Sequence, residues 1–451
     1  MSEPHYRDEA VTLYHGDCLD VMRDMPDASV DAVVTDPPYD LTSGKKGGTG
    51  VASLNVNSPA GRSRISTGGF MGREWDATGI AFDPATWAEC LRVLKPGGHM
   101  LAFGHARTWH RLACAIEDAG FEMRDSIAWL YGTGFPKSLD VSKAIDKAEG
   151  ATGTFGGPKS AAHAEQLATG RARRGQGNEG WERPWMDDPE AVNRAFSEYL
   201  PGSEKGRAYK GWGTALKPAF EPIVVARKPL AGTVAANVLR YGTGALNIDA
   251  TRIHTEGSEA RAYTVKRLKP GATLEKTGGS WRPTNDEDLP WEAGREYEGE
   301  TKAGRWPPNV VLDESQAAEL DKQTGTYGLM GYMGADDAPM PEVNGDSGGA
   351  SRFFPTFRYE AKAPTSERPR DEGTAHPTVK PVDLMRWLVR LVTPPNGTVL
   401  DPFAGTGTTA EACIIEGFRC ILVEKGEEYL PLIVQRLTKP IQPALDLGGV
   451  T

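Results

Sequence analysis

The chain has 451 residues, 39% hydrophobic and 25% charged, a composition ordinary for a globular protein and long enough to bury a sizeable core, with a length prior of about three domains. Its formal charge of −10 would disfavour a polyanionic partner if spread evenly, but residues 201–270 hold twelve Lys/Arg against five acids. Five cysteines without CxxC spacing give no zinc or disulfide framework, no apolar run is long enough to span a membrane, and the polar N-terminus is not a signal peptide, so the expected setting is the cytoplasm.

In chain order, Val11–Tyr14 reads as a short strand, His15-Gly16-Asp17-Cys18 turns out of it, and Leu19–Met25 reads as helical. Val30–Thr35 is an apolar run of buried-strand type, stopped by Asp36-Pro37-Pro38-Tyr39, because two prolines cannot donate to a ladder. Residues 41–72 are rich in Gly and Ser and carry Lys45, Lys46, Arg62 and Arg64; so long a loop beside Tyr39 suggests a lid that meets phosphate. Asp83 and Pro84 start a helix to Leu94, and Lys95-Pro96-Gly97-Gly98 is expected to stop it. Strands are expected at His99–Phe103, Ser126–Tyr131 and Glu221–Ala226, and a helix at Thr108–Ala119. Residues 150–215 are polar and read as an insertion, while 230–370 show weak periodicity. Order resumes with an amphipathic helix at Val382–Val392 and a strand at Thr398–Leu400. A helix at Ala410–Glu416 and a strand at Cys420–Val423 follow, and the tail after Ile433 is expected to fray. Strands alternating with helices predict a mostly parallel sheet.

Two stretches carry chemistry. Strand, Gly405-Thr406-Gly407, helix, strand, Glu424 is a nucleoside-binding plan: the glycines admit close backbone approach, and an acid ending the next strand can accept ribose hydroxyls. That loop alone does not separate a dinucleotide from S-adenosylmethionine. Asp36–Tyr39 favours the second, because a hydride-transfer enzyme has no use for it. An exocyclic base amine is a poor nucleophile, its lone pair being delocalised into the ring. A carboxylate at Asp36 and a carbonyl at Pro37 can accept its hydrogens, Pro38 stiffens the backbone, and Tyr39 offers a stacking face. One stack, about 1–3 kcal/mol, together with two hydrogen bonds is of the size needed to offset the few kcal/mol of flipping a base.

These residues, in this order, resemble the permuted (β-group) DNA amino-methyltransferases, in which the Asp-Pro-Pro-Tyr half precedes a recognition region and the Phe-x-Gly-x-Gly half comes last. His376-Pro377-Thr378-Val379-Lys380-Pro381 resembles the family's element closing over the methionine end of the cofactor, and Asp401-Pro402-Phe403-Ala404-Gly405-Thr406-Gly407 its cofactor loop. Gly134–Ser138 and Phe357–Lys362 are further stretches similar to the family. The resemblance implies a Rossmann-like, mostly parallel α/β sheet with helices on both faces, permuted motif order and a large inserted recognition region. It implies a catalytic half at 1–149, a polar insertion at 150–215, a core strand within 216–229, target recognition at 230–370 and a cofactor half at 371–451. Asp36, Pro37, Pro38 and Tyr39 would be catalytic. Asp17, Cys18, His376, Thr378, Lys380, Asp401, Phe403, Ala404, Gly405, Thr406, Gly407, Thr408 and Glu424 would hold S-adenosylmethionine. The DNA contacts would include Lys45, Lys46, Arg62, Arg64, Arg240, Arg252, Arg261, Lys266 and Arg267. The implied partner is double-stranded DNA, with no membrane and no metal, and the oligomeric state is left open. Asp at position 36 leans towards adenine N6, with cytosine N4 the alternative. A catalytically silent DNA-binding protein and a nicotinamide-dependent oxidoreductase are the readings from other classes. The geometric requirement is that Asp36 and Gly405 line one cleft, overhung by the central region.

Overall fold

The computed structural model describes residues 3–39, 78–132, 138–168, 189–254, 262–268, 274–277, 280–283, 291–300, 302–325, 348–357 and 379–439. The expected lid at 41–72 and Gly134–Lys137 lie outside them, as do Arg261, His376 and Thr378. One ten-stranded sheet dominates. In chain order its strands are β1 (Tyr6–Arg7), β2 (Val11–His15), β3 (Val30–Thr35), β4 (Leu94–Phe103) and β5 (Glu122–Leu130). A side pair, β6 (Thr154–Pro158) and β7 (Ser197–Leu200), forms its own antiparallel sheet within the polar insertion. The main sheet continues with β8 (Phe220–Arg227). Four strands then form two separate antiparallel pairs: β9 (Ala262–Leu268) with β12 (Trp291–Glu300), and β10 (Leu274–Thr277) with β11 (Ser280–Pro283). The main sheet is completed by β13 (Val310–Asp313), β14 (Thr356–Phe357), β15 (Thr398–Asp401) and β16 (Arg419–Glu424).

The spatial order is β1-β2-β16-β15-β3-β4-β8-β5-β13-β14. Every neighbouring pair is parallel except β1 on β2 and β8 against both β4 and β5. The sheet is therefore mostly parallel, and the permutation is visible as early β3 pairing with late β15, Ala32 opposite Val399 and Val33 opposite Leu400. All six residues of β3 are buried, the signature of a strand covered on both faces. Alternate residues feed two cores. Ala32, Val34, Leu101 and Phe103 pack with the helices Val382–Val392, Thr408–Ile415 and Leu430–Leu437. Val33, Met100 and Ala102 pack with Cys18–Asp24, Pro84–Val93 and Trp109–Asp118. Helix Val382–Val392 buries Leu384, Met385, Trp387, Leu388, Val389, Leu391 and Val392, each contributing about 1.5–3 kcal/mol.

Two buried carboxylates tie parts of this frame together. Asp31 of β3 accepts from Lys95 Nζ at 2.6 Å and from the Thr398 N–H at 2.8 Å, joining β3 to β4 and β15. Buried Asp146 accepts from the Tyr199 hydroxyl and the N–H groups of Gly202 and Ser203, which fastens the insertion to the helix Val141–Glu149.

Four expectations change. Lys95–Gly98 is the start of β4 rather than a turn. Gly97, at φ +76°, lets the strand slip register against β3 while its N–H reaches the Lys228 carbonyl. Helical order runs past Ile433 to Leu437, while residues 440–451 of the expected fraying tail lie outside the described residues. Helix Leu430–Leu437 buries Leu432, Ile433 and Leu437, and its proline falls in the first turn, where a missing N–H costs nothing. The stretch 230–370 is not wholly separate from the core, since β13 and β14 extend the main sheet beside β5. Finally, part of the positive excess of 201–270 is answered by acids outside that window. Lys205 pairs with Glu149, Lys210 with Glu198 and Arg227 with Glu122, acids that a local count leaves out.

Candidate active site

Parallel strands all end at one edge, so Asp36 after β3, Asp401 at the end of β15 and Glu424 at the end of β16 are delivered together. They line one cleft of about 1650 Å³. Its wall includes Asp17, Cys18, Asp36, Pro37, Pro38, Tyr39, Lys380, Phe403, Ala404, Gly405, Thr406, Thr408 and Glu424. Asp36 and Gly405, 369 positions apart in sequence, thus share a cavity as the geometric requirement demanded. The overhang differs from expectation. Thr214–Glu221 covers the cleft, and none of the described residues of 230–370 reaches it.

At the β15–β16 end, Glu424 accepts from the Gly405 N–H at 2.8 Å and the Gly426 N–H at 2.7 Å. Burial pushes its carboxyl up to about 7, against those two donors, with the Asp401 carboxylate adding to the rise. Gly405 and Gly407 take φ +55° and +75°, the left-handed conformations that a tight strand-to-helix turn requires. Asp401 is buried and takes hydrogen bonds from the Thr35 and Thr409 hydroxyls, each at 2.6 Å, and from the Phe403 N–H at 3.1 Å. Burial outweighs these donors and raises its carboxyl to about 6. Asp401 therefore knits the two halves of the cleft floor together through Thr35. Asp17 caps the helix Cys18–Asp24 through the Leu19 N–H and pairs with Lys425 at 2.9 Å. Burial works against its ionised form, but Lys425 and that N–H hold its carboxyl below the usual range. Burial pushes the Cys18 thiol up to about 12, so it stays protonated.

At the β3 end, Lys380 Nζ lies 2.7 Å from Asp36 Oδ2, 2.9 Å from the Tyr39 hydroxyl and 3.3 Å from Glu221 Oε2. It also sits 4.7 Å from the Phe103 ring centroid and 5.3 Å from that of Tyr39. Desolvation disfavours the ammonium, but the Asp36 and Glu221 carboxylates more than compensate and hold its pKa above the ordinary value. Burial, then Asp36 and Glu221, push the Tyr39 phenol well above its usual range. Asp36 Oδ1 is shielded from solvent and has no hydrogen-bond partner, a buried acceptor left unpaired at the cleft wall. Tyr39 packs its ring 5.9 Å from His105, and its carbonyl accepts from the Thr108 hydroxyl at 3.1 Å.

Several residues assigned from sequence stand apart from this cleft. Gly407 sits one step behind it, as N-cap of the helix Thr408–Ile415. Arg240 lies against its neighbour Tyr241 at 5.0 Å. Arg252 is 14% exposed and engaged by Asp249 at 2.9 Å and the Gly304 carbonyl at 3.2 Å. Lys266 and Arg267 lie in β9. Lys380, grouped with the cofactor on resemblance, touches the Asp36 cluster. Glu221, Arg107 and Lys217 also line the cleft and were not singled out from sequence. The available signal was Glu221 itself, an acid heading an otherwise apolar strand between Pro218 and Pro222.

A family model described as a DNA methylase of the N6/N4 type matches residues 30–163 and 177–435. The chain is 32% identical over 101 residues to the type II methyltransferase M.BamHI of Bacillus amyloliquefaciens, covering 22% of this chain and 19% of that one. It is 25% identical over 135 residues to the type II methyltransferase M2.LlaDCHI of Lactococcus lactis subsp. cremoris, covering 29% of this chain and 45% of the other. The matched stretches thus span less than half the length of these relatives. The structure of the cytosine-N4-specific PvuII DNA methyltransferase aligns over 98% of this chain and 92% of that one, with 12% identity and a TM-score of 0.41. With the family model matched from β3 through to the helix that follows β16, the chain belongs to the N6/N4 DNA methylases.

Proposed function

We propose that this protein transfers a methyl group from S-adenosylmethionine to the N6 amine of an adenine flipped out of double-stranded DNA. The observation that carries the reading is the unpartnered Asp36 Oδ1, set in the same cleft as Gly405 and Glu424. An open acceptor beside a stacking ring is what an exocyclic amine needs, and a carboxylate beside a glycine turn is what a nucleoside diol needs.

The cleft fits the cofactor in its donor set. Glu424 keeps lone pairs on both oxygens after accepting from Gly405 and Gly426, and the two glycines leave the turn without side chains. When bound, S-adenosylmethionine supplies a sulfonium-activated methyl group. The chain's own residues do the rest. Asp36 Oδ1 and the Pro37 carbonyl accept the amine hydrogens and favour a pyramidal nitrogen. Tyr39 holds the base by its face, and Lys380 fixes Asp36 through Oδ2. Positioning and exclusion of water supply the acceleration. No covalent enzyme intermediate is needed, in keeping with a Cys18 thiol that burial keeps neutral. Arg107 and Lys217, on the cleft wall, are placed to meet phosphates flanking the flipped base. The preference for adenine rests on Asp at position 36, a family pattern.

The test is incubation with labelled S-adenosylmethionine and unmethylated genomic DNA, followed by digestion to nucleosides. Labelled N6-methyladenine is expected. N4-methylcytosine would move the assignment to the other base, and no labelled nucleoside would sink the DNA reading.

A further inference from the structure

Glu221 lies in the core strand that the resemblance covers but in none of its named motifs, yet it stands in the middle of the Asp36 cluster. It is the second residue of β8. Because β8 runs against β4 and β5, its first residues arrive at the edge where β3 ends. Glu221 Oε2 accepts from the Tyr39 hydroxyl at 3.2 Å and lies 3.3 Å from Lys380 Nζ, which is 2.7 Å from Asp36 Oδ2. One ammonium is shared by two carboxylates, and the side chains of Lys380 and Glu221 are only 10% and 17% exposed. The other titratable groups nearby are the Tyr39 phenol, His105 tilted 51° against its ring, Asp401 on the cleft floor, and Arg107 and Lys217 on the wall.

A lone Asp36–Lys380 pair would neutralise itself, and the ammonium could lie across both carboxylate oxygens. A second carboxylate on the far side draws Lys380 towards Oδ2 and away from Oδ1. The open state of Oδ1 therefore needs an explanation outside the Asp-Pro-Pro-Tyr stretch, and Glu221 supplies it. We infer that Glu221 is a positioning residue for Asp36: by sharing Lys380 and anchoring the Tyr39 hydroxyl, it keeps Oδ1 free for the amine hydrogens. This rests on the methyl-transfer reading above.

The experiment compares wild type with Glu221→Gln and Glu221→Ala in single-turnover transfer to DNA, alongside cofactor dissociation constants and crystal structures. Glu221→Ala removes both the charge and the Tyr39 anchor, and kcat is expected to fall about 100-fold. Glu221→Gln keeps an acceptor for Tyr39 but not the charge, and a fall of about 10-fold is expected. Cofactor affinity should stay within about twofold in both, since Glu424 and Gly405 belong to the other end of the cleft; a merely structural defect would move affinity and rate together. In the crystals, Lys380 should swing onto both Asp36 oxygens once Glu221 is neutral. Rates within twofold of wild type, an equal loss in cofactor affinity, or an unchanged Asp36–Lys380 geometry would each overturn the inference. If wild type itself transfers no methyl group, the functional reading fails, while the crystallographic comparison still decides what Glu221 does to Asp36.

Discussion

Cofactor affinity should rise with pH, and Glu424 sets the slope. Burial holds this carboxyl near 7, so the ionised fraction is about one in eleven at pH 6 and about ten in eleven at pH 8. Only the ionised form offers both oxygens to the two ribose hydroxyls while keeping the Gly405 and Gly426 N–H groups. If ligand selects that form, the apparent Kd should tighten about tenfold from pH 6 to pH 8, which is ~1.4 kcal/mol. At pH 7 about half a proton should leave per ligand bound. Isothermal titration in two buffers of different ionisation enthalpy reads the proton directly. Glu424→Gln is the control, because the ligand's own titration is common to both proteins and cancels in the ratio. Glu424→Gln should bind more weakly at pH 8 and lose the slope. A wild-type Kd that is flat from pH 6 to pH 8, or a slope kept in Glu424→Gln, would refute the ribose role of this residue.

Asp401 gives a stability prediction of the opposite pH sense to a salt-bridged carboxylate. Its folded value of about 6 lies above the model-compound value of 3.8, so the unfolded chain releases the proton first. The stability it contributes is complete below the unfolded value and is lost as pH rises through 6, by roughly 3 kcal/mol in all. Asp401→Asn should flatten the fall in melting temperature between pH 4 and pH 7; a fall of the same size in the variant would show that another group is responsible. Gly407→Ala forces a side chain into φ +75°, with its Cβ 2.9 Å from Ile433 Cγ2, a fully buried neighbour that cannot yield. The combined backbone and overpacking cost is about 2–4 kcal/mol, to be read as a lower melting temperature and weaker cofactor binding. Asp36→Ala should abolish transfer of label to DNA while cofactor affinity stays within about threefold. Equal loss of both would contradict separate ends of one cleft.

What could be read from sequence and what could not divide along a physical line. Asp36-Pro37-Pro38-Tyr39 and Gly405-Thr406-Gly407 were legible because each announces itself locally: a buried strand, a residue type that must end it, and a functional group at the break. Parallel pairing then puts both at the same edge without further information, and the structure places them on one cleft. Glu221 was illegible for the complementary reason. The run after it predicts a strand in either direction, and direction decides where its first residues go. β8 is eight residues long, so a parallel β8 would have carried Glu221 from its second position to its seventh, roughly 17 Å towards the opposite edge. Only its antiparallel course between β4 and β5 brings the carboxylate to Lys380.

The same reasoning explains Lys380 and the basic stretch. Lys380 stands one residue before Pro381, the N-cap of the helix Val382–Val392 that packs under β3 and β4. The helix start fixes its side chain beside the end of β3, where Asp36 awaits a counter-charge. The motif containing it points to the cofactor, but its ammonium is used at Asp36. Counting charges over 201–270 overstates the excess, because ion pairs do not respect sequence windows. Glu122, Glu149 and Glu198 are supplied from outside or from the edge of that window. Arg107 and Lys217 are few, but they line the cleft itself. For a polyanion, position at the mouth of the site outweighs the regional total, so the salt dependence of DNA binding should follow these two residues more closely than Arg252, whose charge Asp249 already answers.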